Sequence, residues 1–182
     1  NRDGLPDIIV LMAQAWEGVD IYYNQGGGQF SKQRVLEFSP LHGASYMELS
    51  DFNGDGFPDL LVTNGDNWDY SAVKKPYHGI RIYLNNGKND FEEVFFYPMY
   101  GCSKAIAMDF DGDGDLDIAG ISFYDNIDQP EKSFVYLENT SGLSFSAHYL
   151  SDAANGKWLT MEAGDFNQDG RIDLFLGSYF HN

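Results

Sequence analysis

The sequence predicts an all-β fold, specifically an incomplete β-propeller of about three to four blades, each blade a four-stranded antiparallel sheet. Three observations lead to this prediction. An acidic loop recurs along the 182-residue chain, short runs rich in β-branched and aromatic residues separate its copies, and no run has the apolar spacing of a convincing amphipathic helix. Repeats of this length and content are typical of propeller blades.

The acidic loop is present in three complete copies, which read "DFNGDGFPDLLV" from Asp51, "DFDGDGDLDIAG" from Asp109 and "DFNQDGRIDLFL" from Asp165. A partial copy, "NRDGLPDIIV", starts at Asn1, which aligns with the third position of the others. The final aspartates of the copies recur with a period of roughly 55 residues, and this spacing indicates a solenoid, a propeller or an array.

Four strands can be assigned to each repeat. The strand that follows the loop is read from "DIIVLM", "DLLVTN", "DIAGIS" and "DLFLGS". An alternating run ("VDIYYN", "IRIYLN" or "FVYLEN") gives the next strand, a further strand begins near Phe30, Phe91 or Phe145, and the approach to the following loop completes the set. The blades are then predicted at 1–42 (partial), 43–102, 103–154 and 155–182 (partial), within one propeller fragment. The parent chain or another chain is expected to supply the remaining blades.

Calcium binding explains the loop pattern D-x-[DN]-x-D-G-x-x-D position by position. Ca²⁺ collects about six to eight oxygens at about 2.3–2.6 Å, and alternate side chains at positions 1, 3 and 5 can converge on it if the backbone curls. Glycine at position 6 permits the sharp turn because it tolerates a positive φ. Position 7 offers a carbonyl oxygen, and position 9 offers the carboxylate that closes the cage.

About three Ca²⁺ sites are therefore predicted. Their ligands are Asp51, Asn53, Asp55, Phe57 and Asp59 in the first complete loop, Asp109, Asp111, Asp113, Asp115 and Asp117 in the second, and Asp165, Asn167, Asp169, Arg171 and Asp173 in the third. The partial copy offers a weaker half-site from Asn1, Asp3 and Asp7. Solvated Asp-Gly turns are the alternative, but three copies in register favour calcium. An EF-hand does not fit, because position 12 holds Val62, Gly120 or Leu176 in place of glutamate.

The composition excludes several classes of partner. With 11 Lys and Arg against 28 Asp and Glu, the formal charge is −17, which disfavours nucleic acid and anionic membranes and favours cations. No apolar run reaches about 18 residues, so no membrane-spanning helix is predicted. Cys102 is the single cysteine, which excludes an internal disulfide and a cysteine-based zinc site, and it is expected to be a small buried hydrophobe.

The face opposite the acidic loops is the predicted binding surface. In an up-and-down blade, the connections before the first strand and after the second strand lie on that face, and here they vary in length and are rich in aromatic rings. The residues expected to project there and contact a ligand are Trp16, Trp68, Tyr70, Tyr77, His78 and Tyr124. Aromatic rings with polar neighbours suit a protein or a glycan. The alternative is that these rings pack over the blade ends as local cores.

These loops resemble the calcium-binding FG-GAP or VCBS-type repeats known from the integrin α head and from bacterial secreted or surface proteins. The resemblance rests on "DFNGDGFPDLLV", "DFDGDGDLDIAG" and "GDFNQDGRIDLFLGS", together with "IRIYLNNG" and "FVYLEN", and it covers essentially the whole chain. It implies a propeller, usually of about seven blades, with calcium in the loops. The Phe-Gly and Gly-Ala-Pro signatures of the integrin version are not evident, so the resemblance does not imply integrin-like ligand recognition.

The predicted function is a calcium-stabilised binding or adhesion module for a protein or glycan partner. Its expected location is extracellular, on the cell surface or periplasmic, because free calcium is scarce in the cytosol. The alternative is a secreted polysaccharide lyase or hydrolase on the same scaffold. For that alternative, the segment "VKKPYHGIR" offers a base near cations, with Lys74, Lys75, His78 and Arg81. A third interpretation is a spacer between other domains.

Overall fold

The computed structural model describes residues 1–66, 73–124 and 129–179, so Trp68 and Tyr70 of the predicted binding face lie outside the described residues. The described strands are β1 (Ile8–Met12), β2 (Gly18–Asn24), β3 (Phe30–Glu37), β4 (Ala44–Ser50), β5 (Asp59–Asn64), β6 (Gly79–Asn85), β7 (Phe91–Pro98), β8 (Cys102–Met108), β9 (Asp117–Ser122), β10 (Phe134–Ser141), β11 (Ser144–His148), β12 (Trp158–Gly164) and β13 (Asp173–Ser178). Two short 3-10 helices cover Pro130–Ser133 and Ser151–Asn155. No helix in the described ranges is long and apolar enough to cross a membrane.

The described strands form four antiparallel sheets, and each sheet is built from strands that follow one another in the chain. Sheet 1 contains β1 to β3, sheet 2 contains β4 to β7, sheet 3 contains β8 to β11, and sheet 4 contains β12 and β13. The prediction of an all-β fold of antiparallel sheets is confirmed. No sheet closes on itself in the described part of the chain, and the described sheets form no closed ring. The propeller is therefore not shown by the strand pairing.

Consecutive sheets pack face to face and share their cores. The strands β5 and β9, which follow acidic loops, are buried along their whole length. In β5, Leu60 and Val62 belong to the core that includes Val19 of sheet 1, whereas Leu61 belongs to the core that includes Ile118 of sheet 3. Because successive side chains of a strand point to opposite faces, a strand covered on both faces is apolar on both of them, except where a buried polar group has hydrogen-bond partners. This explains the unbroken apolar run after the loop.

The first strands of sheets 2, 3 and 4 lie side by side, since β4 packs against β8 and β8 packs against β12. Each of these strands has a bulge near its start. Ser45 Oγ at one bulge donates to the Cys102 carbonyl of the next sheet at 2.8 Å, and Ser103 Oγ donates to the Trp158 carbonyl at 3.0 Å. An equivalent hydrogen bond from a serine hydroxyl to a backbone carbonyl therefore joins sheet 2 to sheet 3 and sheet 3 to sheet 4. Cys102 is free and buried, as predicted.

Candidate metal sites and the opposite face

The acidic loops join the first two strands of sheets 2, 3 and 4, at residues 51–58, 109–116 and 165–172. Their backbones are bent by their own side chains. In all four copies, the side-chain oxygen at position 3 accepts a hydrogen bond from the amide at position 5, and the carboxylate at position 5 accepts one from the amide at position 7. In the complete copies, the carboxylate at position 1 accepts from the position-6 glycine amide at 2.8–3.1 Å. These Asx turns give the loops a common shape.

Position 4 of the loop also requires a left-handed backbone, which the sequence analysis did not identify. The φ angle there is +62° at Arg2, +70° at Gly54, +84° at Gly112 and +63° at Gln168. The signal in the sequence was the first glycine of "NGDG" and "DGDG", which is Gly54 in one loop and Gly112 in the other. The glycine at position 6 has a positive φ in every copy, from +81° to +98°, as the turn argument predicted.

The aspartate at position 9 holds the loop to the sheet. Asp59 is completely buried, its Oδ2 accepts from the Phe52 amide at 2.9 Å, and its Oδ1 accepts from the Asn85 amide at 2.8 Å. Asp117 is also completely buried, and it binds the amides of Phe110 and Asn139 in the same way. A buried carboxylate requires such partners, because an unpaired one is strongly disfavoured. Position 9 was predicted as a metal ligand, and the structure adds this second role.

An asparagine at or near the end of the third strand of the first three repeats is the partner that the sequence analysis missed. Its backbone amide donates to the position-9 carboxylate in sheets 1, 2 and 3, where the residue is Asn24, Asn85 or Asn139. Its side-chain amide donates to the carbonyl at loop position 8. The signal was the final letter shared by "VDIYYN", "IRIYLN" and "FVYLEN". These bonds connect the acidic loop, which joins the first two strands of a repeat, to the third strand of the same repeat.

Three predicted ligands of the middle loop lie close enough together for one ion. Oxygens of Asp109, Asp111 and Asp117 are all within 4.8 Å of one another. Two oxygens bound to the same Ca²⁺ can be at most about 5.2 Å apart, which is twice the longest usual Ca–O distance. The three side chains therefore fit a calcium ion, and they are the residues of this loop that would hold it.

The other predicted ligands are less closely grouped. In the described part of the chain, no second set of three carboxylates is this compact. One reason is that position 3 is Asn53 in one complete loop and Asn167 in another, so each offers one carboxylate fewer. In the middle loop, Asp113 is outside the compact group and accepts from the amide of Asp115. Its role as a ligand, like those of the position-7 carbonyls, stays a prediction.

The loops concentrate negative charge. The pKa of the Asp59 carboxyl is raised, mainly because burial removes it from water. The hydrogen bonds from two backbone amides lower this pKa, whereas the charges of Asp55 and Asp51 raise it. For Asp111, the amide of Asp113 is the largest single influence and lowers the pKa, but desolvation and the neighbouring aspartates together raise it. A divalent cation among these groups would relieve the repulsion.

The opposite face carries a row of aromatic rings that crosses the sheets. Rings in the β3–β4, β5–β6, β7–β8 and β9–β10 connections contact their neighbours at centroid distances of 5.3–6.4 Å, and the row ends after β13. In order, its members are Phe38, His42, Tyr77, His78, Tyr100, Tyr124, Phe123 and Tyr179. Such ring contacts stabilise the sheet ends. These contacts favour the alternative in which many of the aromatic rings on this face pack over the ends of the sheets.

The predicted ligand-face residues differ in accessibility. The Trp16 side chain is 77% exposed, whereas Tyr77 and Tyr124 are half-buried within the aromatic row. His78 departs from the expectation that it projects from this face, since it is 1% exposed and stacks on Tyr100. Sequence patterns alone could not separate an exposed loop ring from one covered by the next sheet. The ligand-binding role of these residues remains a prediction, for which Trp16 is the most accessible candidate in the described chain.

The loop that carries Trp16 is strained. Its neighbours Gln14 and Ala15 have φ angles of +65° and +56°, a region that costs L-residues about 1 kcal/mol or more each. A cavity of about 220 Å³ adjoins them, lined in part by the buried carboxylate of Glu17 and by the exposed side chain of Leu41. Strained loop residues of this kind cluster at functional sites. The loop therefore combines an exposed ring with a fixed and unusual backbone.

The residues required by the lyase alternative are engaged in other contacts. Arg81 is buried, and its guanidinium donates to Asn64 Oδ1 at 3.0 Å, to Glu93 Oε1 at 2.9 Å and to the Tyr77 carbonyl at 3.0 Å. A base at His78 would be covered by the aromatic row. This geometry gives the enzyme alternative no support.

Comparison with known families adds one finding. The sequence profile of the FG-GAP-like repeat matches three segments of the chain, residues 1–62, 63–120 and 109–176. Together the matches span residues 1–176, which include all the acidic loops and nearly all of the strands.

Proposed function

The chain belongs to the FG-GAP-like repeat family, and on this premise we propose that it is a calcium-stabilised β-propeller module that binds a protein or glycan partner in adhesion or recognition. Its three complete acidic loops are the calcium sites, and the loops at the other ends of the sheets meet the partner. Further blades, from the parent chain or from another chain, cover its outer surfaces. The module works outside the cell, on the cell surface or in the periplasm.

The observation that carries the calcium part of the proposal is the compact carboxylate group at Asp109, Asp111 and Asp117. Calcium bound there neutralises the repulsion within the loop. It also adds a bond to Asp117, which already holds the third strand through the Asn139 amide. Because this loop has the largest number of carboxylates, it is the tightest of the three sites. Affinities in the range of extracellular modules, about 10⁻⁴–10⁻³ M, are sufficient outside the cell.

The need for further blades is supported by the outer side of sheet 4. Leu159, Phe166 and Phe175 are all more than half exposed there. On the inner side of the same sheet, Met161 is completely buried against sheet 3. An open apolar surface beside an unpaired strand edge promotes aggregation unless another element covers it.

The binding role is tested by screening the chain against arrays of glycans and of extracellular proteins in millimolar calcium, and repeating any positive result with Trp16→Ala. We expect at least about a tenfold loss of affinity, because removing an aromatic residue that anchors a partner costs about 2 kcal/mol or more. Phe30→Ala is the matched control, since Phe30 is a partly exposed ring at the opposite end of its sheet. Equal losses for both variants, or unchanged binding by Trp16→Ala, would assign the partner to another surface.

A further inference from the structure

Four Asn-Gly dipeptides occur in the chain, at Asn53, Asn64, Asn86 and Asn155. Asparagine loses ammonia most readily in this dipeptide, because the amide nitrogen of the glycine can attack the asparagine side chain with no Cβ in the way. The attack requires an available glycine amide, since a nitrogen that donates to another acceptor must first lose that hydrogen bond. The hydrogen bonds of the four glycine amides therefore decide which dipeptide can react in the folded protein.

Three of the four glycine amides are engaged in hydrogen bonds of 2.7–3.3 Å. The donors are Gly65, Gly87 and Gly156, and their acceptors are oxygens of Gly43, Asn85 and Ala153, respectively. By contrast, the Gly54 amide donates to no acceptor in the described part of the chain. Asn53 and Gly54 are both exposed, so water can reach them. The fold thus leaves the nucleophile available at Asn53-Gly54, in the first complete acidic loop.

Asp55 holds both polar atoms of the Asn53 side chain. The Asp55 amide donates to Asn53 Oδ1 at 3.1 Å, and Asp55 Oδ2 accepts from Asn53 Nδ2 at 2.9 Å. A donor at Oδ1 stabilises the negative charge that develops on this oxygen when a nucleophile attacks Cγ. Because the carboxamide is already held in one orientation, less freedom is lost on reaction. The loop therefore assists the attack.

The third complete loop has the same geometry without the glycine. Asn167 makes the same two hydrogen bonds to Asp169, at 2.8 Å through Oδ1 and at 3.2 Å through Nδ2. The next residue is Gln168, and its φ angle of +63° is close to the +70° of Gly54. The two loops differ at the attacking nitrogen in the glutamine side chain, which crowds it. The chain therefore contains a matched reference for the Asn53 site.

We propose that Asn53 is a self-modifying site, at which attack by the Gly54 amide and hydrolysis convert the asparagine to an acid. The Gly54 nitrogen forms a bond to Asn53 Cγ, the Cγ–Nδ2 bond breaks, and ammonia leaves with the proton of the Gly54 amide. Water then opens the succinimide ring. Hydrolysis of the new bond gives aspartate, and hydrolysis of the original peptide bond gives isoaspartate.

The aspartyl product changes "DFNGDG" to "DFDGDG", which is the sequence of the middle loop at residues 109–114. The backbone accommodates it, because Asp111 Oδ1 accepts from the Asp113 amide at 3.1 Å, as Asn53 Oδ1 does from the amide two residues on. Isoaspartate lengthens the backbone and shortens the side chain, so it breaks this turn. The aspartyl product adds a carboxylate at position 3 and should bind calcium more tightly. This consequence rests on the proposed calcium function, whereas the modification does not.

The test incubates the full chain in chelator at neutral pH and follows each asparagine by peptide mapping and mass spectrometry. We expect conversion at Asn53 to be at least about tenfold faster than at Asn86 or Asn167. Gly54→Gln should lower the rate at Asn53 to that of Asn167, and Gln168→Gly should start conversion at Asn167. Each swap introduces the residue that the other loop already holds at a positive φ. Equal rates at Asn53 and Asn86, or no effect of Gly54→Gln, would overturn the proposal.

A calcium titration of Asn53→Asp beside the parent chain measures the consequence for the loop. We expect the midpoint for Asn53→Asp at a lower calcium concentration. Conversion in chelator together with no calcium binding by either chain would support the modification and contradict the calcium function. The absence of conversion at Asn53 would contradict the modification whatever the titration shows.

Discussion

Replacing Asp117 by alanine should destabilise the protein by at least about 3 kcal/mol even in the absence of metal, because each buried donor left without a partner costs roughly 1–3 kcal/mol. The variant loses the acceptor of the Phe110 amide, the Asn139 amide and the Tyr136 hydroxyl, which donates to Asp117 Oδ2 at 2.9 Å. Urea unfolding in chelator measures the change.

Asp111→Ala is the control for this variant. Asp111 belongs to the same compact carboxylate group, but its side chain is exposed and its one backbone partner in the loop is the Asp113 amide. We expect its unfolding free energy in chelator to stay within about 0.5 kcal/mol of the parent chain, while the stabilisation by calcium decreases. If the two variants were equally stable in chelator, position 9 would have no structural role separate from the metal.

Gly65→Ala should be the most damaging conservative change in the contact between sheets 2 and 3. A Cβ at this position would stand 2.0 Å from the carbonyl oxygen and 2.3 Å from the amide nitrogen of Cys102. Because these are backbone atoms of the neighbouring sheet, the two sheets must move apart, which disturbs the Ser45 contact as well. Overpacking of this kind costs about 3 kcal/mol, or a fall of about 6–12 °C in melting temperature for a domain of this size.

The control is Gly164→Ala, which makes the same chemical change where a Cβ would meet its nearest atom, in the Phe166 ring, at 3.7 Å. Neither glycine has the positive φ that would add backbone strain. We expect differential scanning calorimetry to show a small effect for Gly164→Ala and a large one for Gly65→Ala. Similar melting temperatures for the two variants would mean that the close approach of sheets 2 and 3 is not rigid.

The repeats and strands could be predicted from the sequence because they depend on local chemistry. Turn residues mark the acidic loops, and β-rich runs separate them, so the order of strands within each sheet followed from the repeat. The continuous burial of β5 and β9 was already visible as unbroken apolar runs. Position 6 of the loop was also predictable, because a sharp turn there requires glycine.

Features that depend on contacts between repeats were not predictable in the same way. The burial of His78 results from stacking on Tyr100, which lies in a different connection. The structural role of Asp117 depends on Asn139 in the third strand, 22 positions away. The pattern of a loop gives the residue types that could bind a metal, but it does not show which of them also hold the sheet together. These roles depend on contacts between strands that are distant in the sequence, so they require the three-dimensional structure.

The central claim is that the acidic loops are calcium sites that stabilise the sheets. It is tested most directly by thermal unfolding in calcium, in magnesium and in chelator, with bound metal counted by native mass spectrometry of the same sample. We expect about three bound calcium ions. Each site should add about 2.7 kcal/mol at a calcium concentration one hundred times its Kd, or about 5–10 °C per site. Magnesium should have a much smaller effect, and Asp111→Ala should lose one ion. No bound metal and the same melting temperature in all three solutions would contradict the claim and identify the loops as ordinary acidic turns.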